Sequence, residues 1–508
     1  MARSEQLQEE REDDEARVTS PLRRRSLLLL AASLGGCAGS LNSLGEFAVR
    51  TTDKANALFQ PAAKRRYANP VIEGGHPGPS VCRVGDDFFL VSGSFDMLPG
   101  LPIHHSRDLI NWRLLTHAVT RDTELLGAGG FSAPVLRWKD GRFMLSATCA
   151  TGTVTMTARD IMGPWSVPQP GEAVSPLIER GGFFYRLLKQ GEGWDSGLCV
   201  ERARTPQGPF EPCPANPIAS QRNNALEALQ MLGQGDLVQA ANGRWWLLIE
   251  GSRLAGRAQP LGSEVLLAPV GWGADGWPVV NEGRPVTMEL AVDDLPPPRP
   301  WPALPVREEF KGPGLPPHWT FLRGLAGGLW DLSERPGWLR LKGTTVGLAD
   351  ASGTPAFVGR ALTRQNLQAS TLLDFAPLAK DQQAGLALRM DENHHALLRL
   401  SGIPVRRVEL VLRSAGKERI LATAPLGPAS FGPVRLQLDA QADRYEFAFA
   451  GEGMEMTPLG SVPITVLAGL DLALDPASRG RGLSVGVYAS GPGSMPPADL
   501  QSFDWVQR

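Results

Sequence analysis

The sequence predicts an all-β protein in which a β-propeller is followed by an antiparallel β-sandwich. Three observations support this prediction. Four segments of the first half repeat one hairpin-like pattern, a Pro-rich run then interrupts that pattern, and the second half contains many short alternating strands without helical periodicity. The 508 residues are enough for roughly two to four domains of ordinary size.

The composition excludes two classes of protein. Lys and Arg number 51 and Asp and Glu number 53, which gives a formal net charge of −2 at pH 7. This balance provides no electrostatic reason to expect nucleic acid as a partner. No uninterrupted apolar stretch reaches the roughly 18 residues that a membrane-spanning helix needs, so a polytopic membrane protein is excluded.

The N-terminus has the layout of an export signal. Arg24-Arg25-Ser26 leads into a short apolar run, residues 27–34, which ends in Leu34-Gly35-Gly36-Cys37. The paired arginines resemble a twin-arginine signal, and Leu-Gly-Gly-Cys resembles a bacterial lipobox in which Cys37 is acylated. The alternative is an ordinary secretory peptide with a chance cysteine. We predict a signal peptide over residues 1–37, a tether over 38–66, and a lipid-anchored protein exported to the bacterial periplasm or cell surface.

The four remaining cysteines predict neither a metal site nor a particular disulfide. Cys82, Cys149, Cys199 and Cys213 lie at no metal-ligand spacing. Cys82 and Cys149 lie beside or within apolar runs, so we expect them to be buried free thiols.

The repeat of the first half predicts the propeller. In each repeat an apolar triplet is joined through a Gly turn to an aromatic or apolar strand, which is typical of a β-hairpin. Each hairpin is followed by a turn and an aromatic residue, so the repeating unit has about four strands. Such a unit is typical of a propeller blade, and we predict a propeller over residues 67–290. The four hairpins are residues 78–94, 133–149, 175–191 and 235–251.

A Pro-rich segment over residues 291–305 predicts an extended linker and a domain boundary. Beyond it, residues 306–508 contain alternating strands with turn residues between them, which is typical of an antiparallel sandwich. The predicted strands include residues 338–341, 384–390, 408–413, 434–438, 445–449 and 483–488.

The chain also resembles a known family. Residues 69–80, 99–103 and 105–112 look like the opening of glycoside hydrolase family 43 in its β-xylosidase-like branch, and residues 208–218 and 267–280 follow in the family's order. Residues 306–508 resemble the concanavalin-like sandwich of that branch. The resemblance implies a five-bladed propeller with a central sugar pocket, closed by the sandwich. It also implies a partner of the xylan or arabinan type, and β-xylosidase or α-L-arabinofuranosidase activity.

The resemblance places the catalytic positions on residues that cannot ionise. Family members invert the anomeric carbon with a carboxylate base and a carboxylic acid roughly 6.5 to 9.5 Å apart. The base position falls on Gly78 and the acid position on Val174. A third carboxylate of the family has no counterpart, because Trp165 is followed almost directly by Val174, so we expect about one blade to be missing. These losses predict weak or no hydrolysis.

Two carboxylates are candidates to replace the missing pair. Glu172 lies two positions before Val174, and Asp236 falls where a strand meets the expected propeller axis. Each also has a structural explanation, because Glu172 fits a solvated loop and Asp236 fits a structural residue of the turn or axis. Two function classes therefore remain: a glycan-binding homologue without hydrolysis, and an active glycosidase with repositioned carboxylates.

Four residues are candidates for sugar binding. Arg222 matches a family arginine near the sugar subsite, or else it forms a surface ion pair. Phe95 and Trp194 are suited to stack on a sugar face, or else they belong to the inter-blade core. His76 lies in the turn that forms the pocket, as a ligand or as a hydrogen-bonded loop residue. Gln234 replaces a family histidine associated with a central metal, so neither calcium nor another cofactor is expected.

Overall fold

The computed structural model describes residues 64–123, 130–293, 295–427, 432–475 and 478–508, which belong to one compact unit, residues 64–508. The predicted signal peptide with Cys37, and the tether up to residue 63, lie outside the described residues. Within the described ranges, no helix has the length and apolar character needed to cross a membrane.

Among the described residues, the first half consists of short strands with two 3₁₀ turns at Gly193–Asp195 and Asn281–Gly283. In chain order the strands are β1 (Arg65–Ala68), β2 (Ser80–Val84), β3 (Asp87–Val91), β4 (Met97–Leu98), β5 (Gly100–Ser106), β6 (Arg113–Val119), β7 (Ser132–Lys139), β8 (Arg142–Cys149), β9 (Gly152–Ala158), β10 (Gln169–Pro170), β11 (Ile178–Arg180), β12 (Phe183–Gln190), β13 (Gly197–Ala203), β14 (Glu211–Pro212), β15 (Ala219–Ser220), β16 (Leu229–Gln230), β17 (Gly235–Gln239), β18 (Trp245–Arg253), β19 (Glu264–Trp272), β20 (Pro278–Val280) and β21 (Glu289–Val292).

These strands form a propeller with four blades among the described residues. The blades are β2-β3-β5-β6, β7-β8-β9-β10, β11-β12-β13-β14 with β15 beside β13, and β17-β18-β19-β20 with β16 beside β18. Each predicted hairpin is present as an antiparallel pair, namely β2 with β3, β7 with β8, β11 with β12, and β17 with β18. The turn glycines Gly85 and Gly141 have φ of +61° and +73°, which glycine adopts without steric cost. Four blades agree with the expectation that one blade is missing.

The two ends of the propeller segment are joined to each other. β1 pairs with β21, with Tyr67 opposite Leu290. Asn69 then fastens the chain to the last blade, because its amide group donates to the Leu267 carbonyl at 3.1 Å and accepts from the Leu267 N–H at 2.9 Å. β1 begins at Arg65, two residues before the start that the sequence predicted for the propeller.

The second half is a two-sheet sandwich. Its elements are β22 (Arg307–Glu308), β23 (Thr320–Leu322), β24 (Trp330–Asp331), β25 (Leu339–Leu341), β26 (Ala356–Ala361), β27 (Leu367–Asp374), β28 (Gln383–Arg389), β29 (His395–Ser401), β30 (Arg407–Ser414), β31 (Lys417–Pro425), β32 (Val434–Ala440), β33 (Arg444–Gly451), β34 (Thr457–Pro463), α1 (Ile464–Ala468), α2 (Leu470–Leu474), β35 (Ser484–Ser490) and β36 (Ala498–Gln507).

One sheet has the order β24-β25-β36-β27-β32-β33-β34, with β22 beside β36, and the other has the order β31-β30-β29-β28-β35-β26-β23-β4. Large buried side chains such as Trp319, Phe447 and Phe503 belong to the core cluster of the sandwich. The two short helices were not predicted. Each spans only five residues, which is too short for a periodic apolar pattern to develop in the sequence.

Propeller and sandwich share structural elements. β4 lies in the propeller segment of the chain, yet it pairs with β23 at the edge of a sandwich sheet. Ala258 and Leu261, from the loop between β18 and β19, are fully buried in the sandwich core. The Pro-rich linker is also held in place, because the Arg299 N–H donates to the Asp108 carboxylate at 2.6 Å. The propeller loops and the sandwich are therefore packed as one body.

The cysteines within the described residues are unpaired. Cys82, Cys149, Cys199 and Cys213 are all free and buried, as the sequence predicted for the first two. Burial raises the pKa of the Cys82 thiol to about 12, so this thiol stays protonated at neutral pH.

Candidate functional site

The base position lies on the segment that leads into β2. Gly78 is buried and has φ of +60°. A Cβ atom at this position would lie 3.1 Å from Gln234 Oε1. The Gly78 N–H donates to Glu250 Oε2 at 2.8 Å. A carboxylate is therefore present beside the base position, but it comes from a different blade.

Glu250 lies on β18 and is 6% exposed. Besides the Gly78 N–H, its carboxylate accepts the Gln234 N–H at 3.0 Å and the Lys189 ammonium at 3.0 Å. Lys189 lies on β12, so the ion pair joins the third blade to the fourth. The sequence analysis missed this pair. The sequence did contain one signal for it, because Glu250 is a single charged residue directly after the apolar run Trp245–Ile249. A charged side chain within a buried strand is rarely left unpaired.

The acid position is apolar and enclosed. Val174 is 9% exposed, and its N–H donates to Ser146 Oγ at 2.9 Å. Glu172 and Glu179 are both exposed to solvent. Val174, to which the family resemblance assigns the acid position, is therefore buried, while the nearest glutamates in the sequence lie on the surface.

Asp236 joins the inner strands of the propeller. It is 5% exposed, and its carboxylate accepts Ser80 Oγ at 2.8 Å, the Val81 N–H at 3.1 Å and Arg137 Nη1 at 2.7 Å. Since Ser80 and Val81 lie on β2 and Arg137 lies on β7, three blades meet at this carboxylate. Arg137 Nη2 also donates to the Pro176 carbonyl at 2.9 Å, which extends the contact to the segment before β11.

The donors at the axis do not fit a calcium site. The Asp236 carboxylate is already bound to the guanidinium of Arg137. Gln234 contributes an amide in place of the histidine expected from the family. Among the described residues, no group of three or more His, Cys, Asp or Glu side chains is arranged to hold a metal ion.

The predicted sugar-binding residues lie in different environments. Trp194 is 40% exposed, and Arg222 donates to the Asp195 carbonyl at 2.6 Å. Phe95 is half-buried, and the guanidinium of Arg481 lies 4.6 Å from its ring centroid. One face of Phe95 is therefore already covered by a side chain of the sandwich.

His76 forms part of a buried histidine cluster. Its Nδ1 lies 3.1 Å from Ser92 Oγ, and its ring meets the His104 ring edge-on with centroids 4.7 Å apart. Burial lowers the pKa of His76 and of His117 to about 4, and it lowers that of His104 as well. These imidazoles are therefore neutral at pH 7.

A small cavity lies where the propeller and the sandwich meet, beside Lys189. It measures about 20 Å³ and is lined by Lys189 and Met231 of the propeller and by Ala473 and Arg479 of the sandwich. Such a volume holds roughly one water molecule, whereas pockets for organic ligands usually measure roughly 300 to 1,000 Å³. The Arg479 guanidinium also forms an ion pair with Glu192, which links the sandwich to the propeller loop beside the cavity.

Comparison with known proteins shows relatives that match most of this chain. A protein of Bacteroides ovatus, named non-reducing end α-L-arabinofuranosidase BoGH43B, is 32% identical and the match covers 87% of this chain and 95% of that protein. A xylan 1,3-β-xylosidase of a Vibrio species is 28% identical over 80% of this chain and 93% of its own length.

Solved structures share the same architecture. The structure titled Bacteroides ovatus xyloglucan PUL GH43B superposes with a TM-score of 0.81 at 32% identity, covering 87% of this chain and all of that one. The xylan β-1,4-xylosidase of Bacillus halodurans C-125 gives a TM-score of 0.80 at 25% identity, with the same coverage.

Family models match both halves of the described unit. The model for glycosyl hydrolases family 43 matches residues 67–177 and 176–278, and the model for the β-xylosidase C-terminal concanavalin A-like domain matches residues 307–507. The chain therefore belongs to glycosyl hydrolase family 43 and carries the concanavalin A-like C-terminal domain found in β-xylosidases.

Proposed function

We propose that this protein is an exported member of family 43 that binds xylan- or arabinan-type oligosaccharides and hydrolyses them weakly or not at all. The observation that supports this proposal is the set of hydrogen bonds that the Glu250 carboxylate accepts. This carboxylate lies beside Gly78, the position that the family resemblance assigns to the base, and both of its oxygens accept hydrogen bonds from protein donors.

An inverting mechanism needs a base that can take a proton from water and an acid that can donate one. Both oxygens of Glu250 already accept hydrogen bonds, from an ammonium and two backbone N–H groups, so neither oxygen is left without a protein donor. Val174 offers no proton on the acid side. Of the two substitutes considered from the sequence, Glu172 is exposed and Asp236 is bound to Arg137. The site therefore lacks a free acid–base pair among these candidates.

The relatives and the rim of the cavity support a carbohydrate partner. The names of the two relatives state arabinofuranosidase and xylosidase activities. Trp194 follows Gly193, which lines the cavity, and its indole is 40% exposed. Since the cavity itself is too small for a sugar ring, we place the bound sugar at the mouth, stacked on Trp194.

The first prediction concerns catalysis. The full chain should hydrolyse aryl β-xylosides and aryl α-L-arabinofuranosides at least about a hundredfold more slowly than ordinary enzymes, whose turnover is on the order of 10 s⁻¹. Release of the aryl group is the measurement. Fast turnover that Glu250→Gln abolishes would instead identify Glu250 as a repositioned base and support the active glycosidase.

The same assay should find no strong activity in the double variant Gly78→Asp/Val174→Glu. An aspartate at position 78 would lie against Gln234 and beside the Glu250 carboxylate, and two adjacent carboxylates oppose each other's ionisation. The family's third carboxylate has no counterpart to tune the new acid. High turnover with a bell-shaped pH profile would show that four blades still hold the two carboxylates at a working distance.

The second prediction concerns the Lys189–Glu250 pair. Lys189→Met leaves a buried carboxylate without its cation and should lower the free energy of unfolding by about 2 kcal/mol. Lys189→Met/Glu250→Gln should be less destabilised than Lys189→Met alone, because no uncompensated charge remains. Urea titration of the wild type, Lys189→Met, Glu250→Gln and the double variant measures the coupling. Lys311→Met is the matched control, since Lys311 pairs with Glu309 on the surface and should change little. A loss in the double variant equal to the sum of the two single losses would rule out the coupling.

The third prediction concerns glycan binding. Trp194→Ala should reduce the affinity for xylo- or arabino-oligosaccharides at least about tenfold, which corresponds to the loss of one stacking contact. Calorimetric titration measures it, and Trp138→Ala, which removes another partly exposed indole, is the control. If wild-type protein binds neither oligosaccharide class, or if both variants bind equally, the proposed mouth site is wrong.

The fourth prediction concerns the anchor. We propose that Cys37 carries a lipid and holds the protein at a bacterial membrane. Cys37→Ser should move the protein from the membrane fraction to the soluble fraction, as followed by immunoblot. Cys82→Ser, which changes a buried thiol of the folded unit, should leave the distribution unchanged. An unchanged distribution for Cys37→Ser would contradict the lipobox.

A further inference from the structure

Three arginines surround a buried aspartate where the propeller meets the sandwich. Asp96 lies on the loop between β3 and β4 and is 5% exposed. Its carboxylate accepts a hydrogen bond from Arg481 Nη1, and its carbonyl accepts the Arg323 N–H at 2.7 Å. The third arginine is Arg389, at the end of β28. Together with Arg481, it holds the pKa of Asp96 below its usual range, against the effect of burial.

Several of the guanidinium nitrogens are buried without an acceptor among the described residues. They are Arg389 Nε and Nη2, Arg323 Nη2 and Arg481 Nε. Arg389 is only 2% exposed, so water from the bulk does not reach it freely. Buried guanidinium N–H groups are normally paired, because an unpaired charged donor in the interior costs free energy.

The other nearby carboxylates are not hydrogen-bonded to these guanidinium nitrogens. Asp391 accepts His394 Nδ1 at 3.0 Å and Ser478 Oγ at 3.2 Å. Glu392 Oε2 lies 3.8 Å from Arg389 Nη2, which is an ion pair but too long for a hydrogen bond. Asp350 accepts the Gly347 N–H at 2.6 Å. Of these three guanidinium groups, only that of Arg481 is hydrogen-bonded to a carboxylate among the described residues, the carboxylate of Asp96.

We propose that a chloride-sized anion binds between Arg323, Arg389 and Arg481, at the boundary of propeller and sandwich. Such an ion would accept the free N–H groups and offset the excess of positive charge. A larger anion such as a sugar carboxylate does not suit the place, because the Arg389 and Arg481 side chains are only 3% and 11% exposed. Burial, together with the neighbouring Arg481 and Arg323, lowers the pKa of Arg389 to about 10, and a bound anion would favour the charged form of this side chain.

The proposal is independent of the proposed glycan function. The anion would contact arginines of β28, of the segment after β23 and of the segment before β35, while Asp96 belongs to the loop that supplies β4. A bound anion would therefore stabilise the folded sandwich next to its contact with the propeller. Ligand binding to the folded state alone raises its stability with concentration until the site is saturated.

The test is thermal unfolding of the full chain in detergent, with sodium chloride replacing sodium gluconate at constant ionic strength. The midpoint should rise with chloride and then level off, and bromide should act like chloride. Arg389→Met should abolish the response, and Arg142→Met, which changes an exposed arginine, should keep it. Asp96→Asn removes the competing carboxylate, so the response should saturate at lower chloride. A midpoint that does not depend on the anion, or a response that survives Arg389→Met, would overturn the proposal.

A second measurement does not depend on the folding of any variant. Wild-type crystals grown in sodium bromide should show an anomalous difference peak within hydrogen-bonding distance of Arg389. Such a peak supports the site, and bromide bound only elsewhere on the protein refutes it. If Arg389→Met fails to fold, Arg389→Lys keeps the cation but removes the guanidinium donors, and it should weaken the chloride response by at least about tenfold in midpoint concentration.

Discussion

The bond between Asp236 and Arg137 is the constraint on which the propeller depends. Asp236 Oδ2 accepts Ser80 Oγ, the Val81 N–H and Arg137 Nη1, and Oδ1 accepts the Leu237 N–H at 3.0 Å. Buried polar groups at the inner edge of each blade need hydrogen-bond partners. In this propeller, the Asp236–Arg137 ion pair supplies such partners to β2, β7 and β17 together. Because this use occupies both oxygens, the carboxylate at the axis supports the fold and is not free to activate a water molecule.

Hydrogen bonding also occupies the second buried carboxylate, that of Glu250 beside Gly78. A carboxylate can act as a base when its lone pairs face substrate and water, and Glu250 faces the Gly78 N–H, the Gln234 N–H and Lys189 instead. Gly78 makes this possible, since its N–H approaches the carboxylate in a backbone conformation with φ of +60° that favours glycine. In the proposed function, the glycine at the position assigned to the base and the Lys189–Glu250 ion pair are two aspects of one rearrangement, in which a packed polar contact takes the place of an acid–base site.

Local patterns predicted much of the fold but little of the site. The four inner hairpins follow from Gly turns between apolar strands, which is information within about 17 residues of sequence. Glu250 was missed because its partners are 61 and 172 positions away in the chain, and no local pattern records such a contact. The same holds for β4, a two-residue strand whose partner β23 lies in the other half of the chain. The resemblance to the family assigned the base and acid positions to Gly78 and Val174, but it gave no information on the Glu250 carboxylate that lies beside Gly78.

The loop over residues 95–98 connects the site to the sandwich. Phe95 bridges to Phe131 of the propeller, Asp96 binds Arg481 of the sandwich, and Met97 and Leu98 form β4 in a sandwich sheet. The turn with Gly78 is held by the same neighbours, because the Gly93 N–H donates to the Pro77 carbonyl at 2.8 Å and a Cβ at Gly480 would lie 3.4 Å from the Pro77 ring. A shift of the sandwich would therefore move both the sandwich residues that line the cavity and the turn that contains Gly78. The geometry of the axial site is set by the packing of the two halves as much as by the blades themselves.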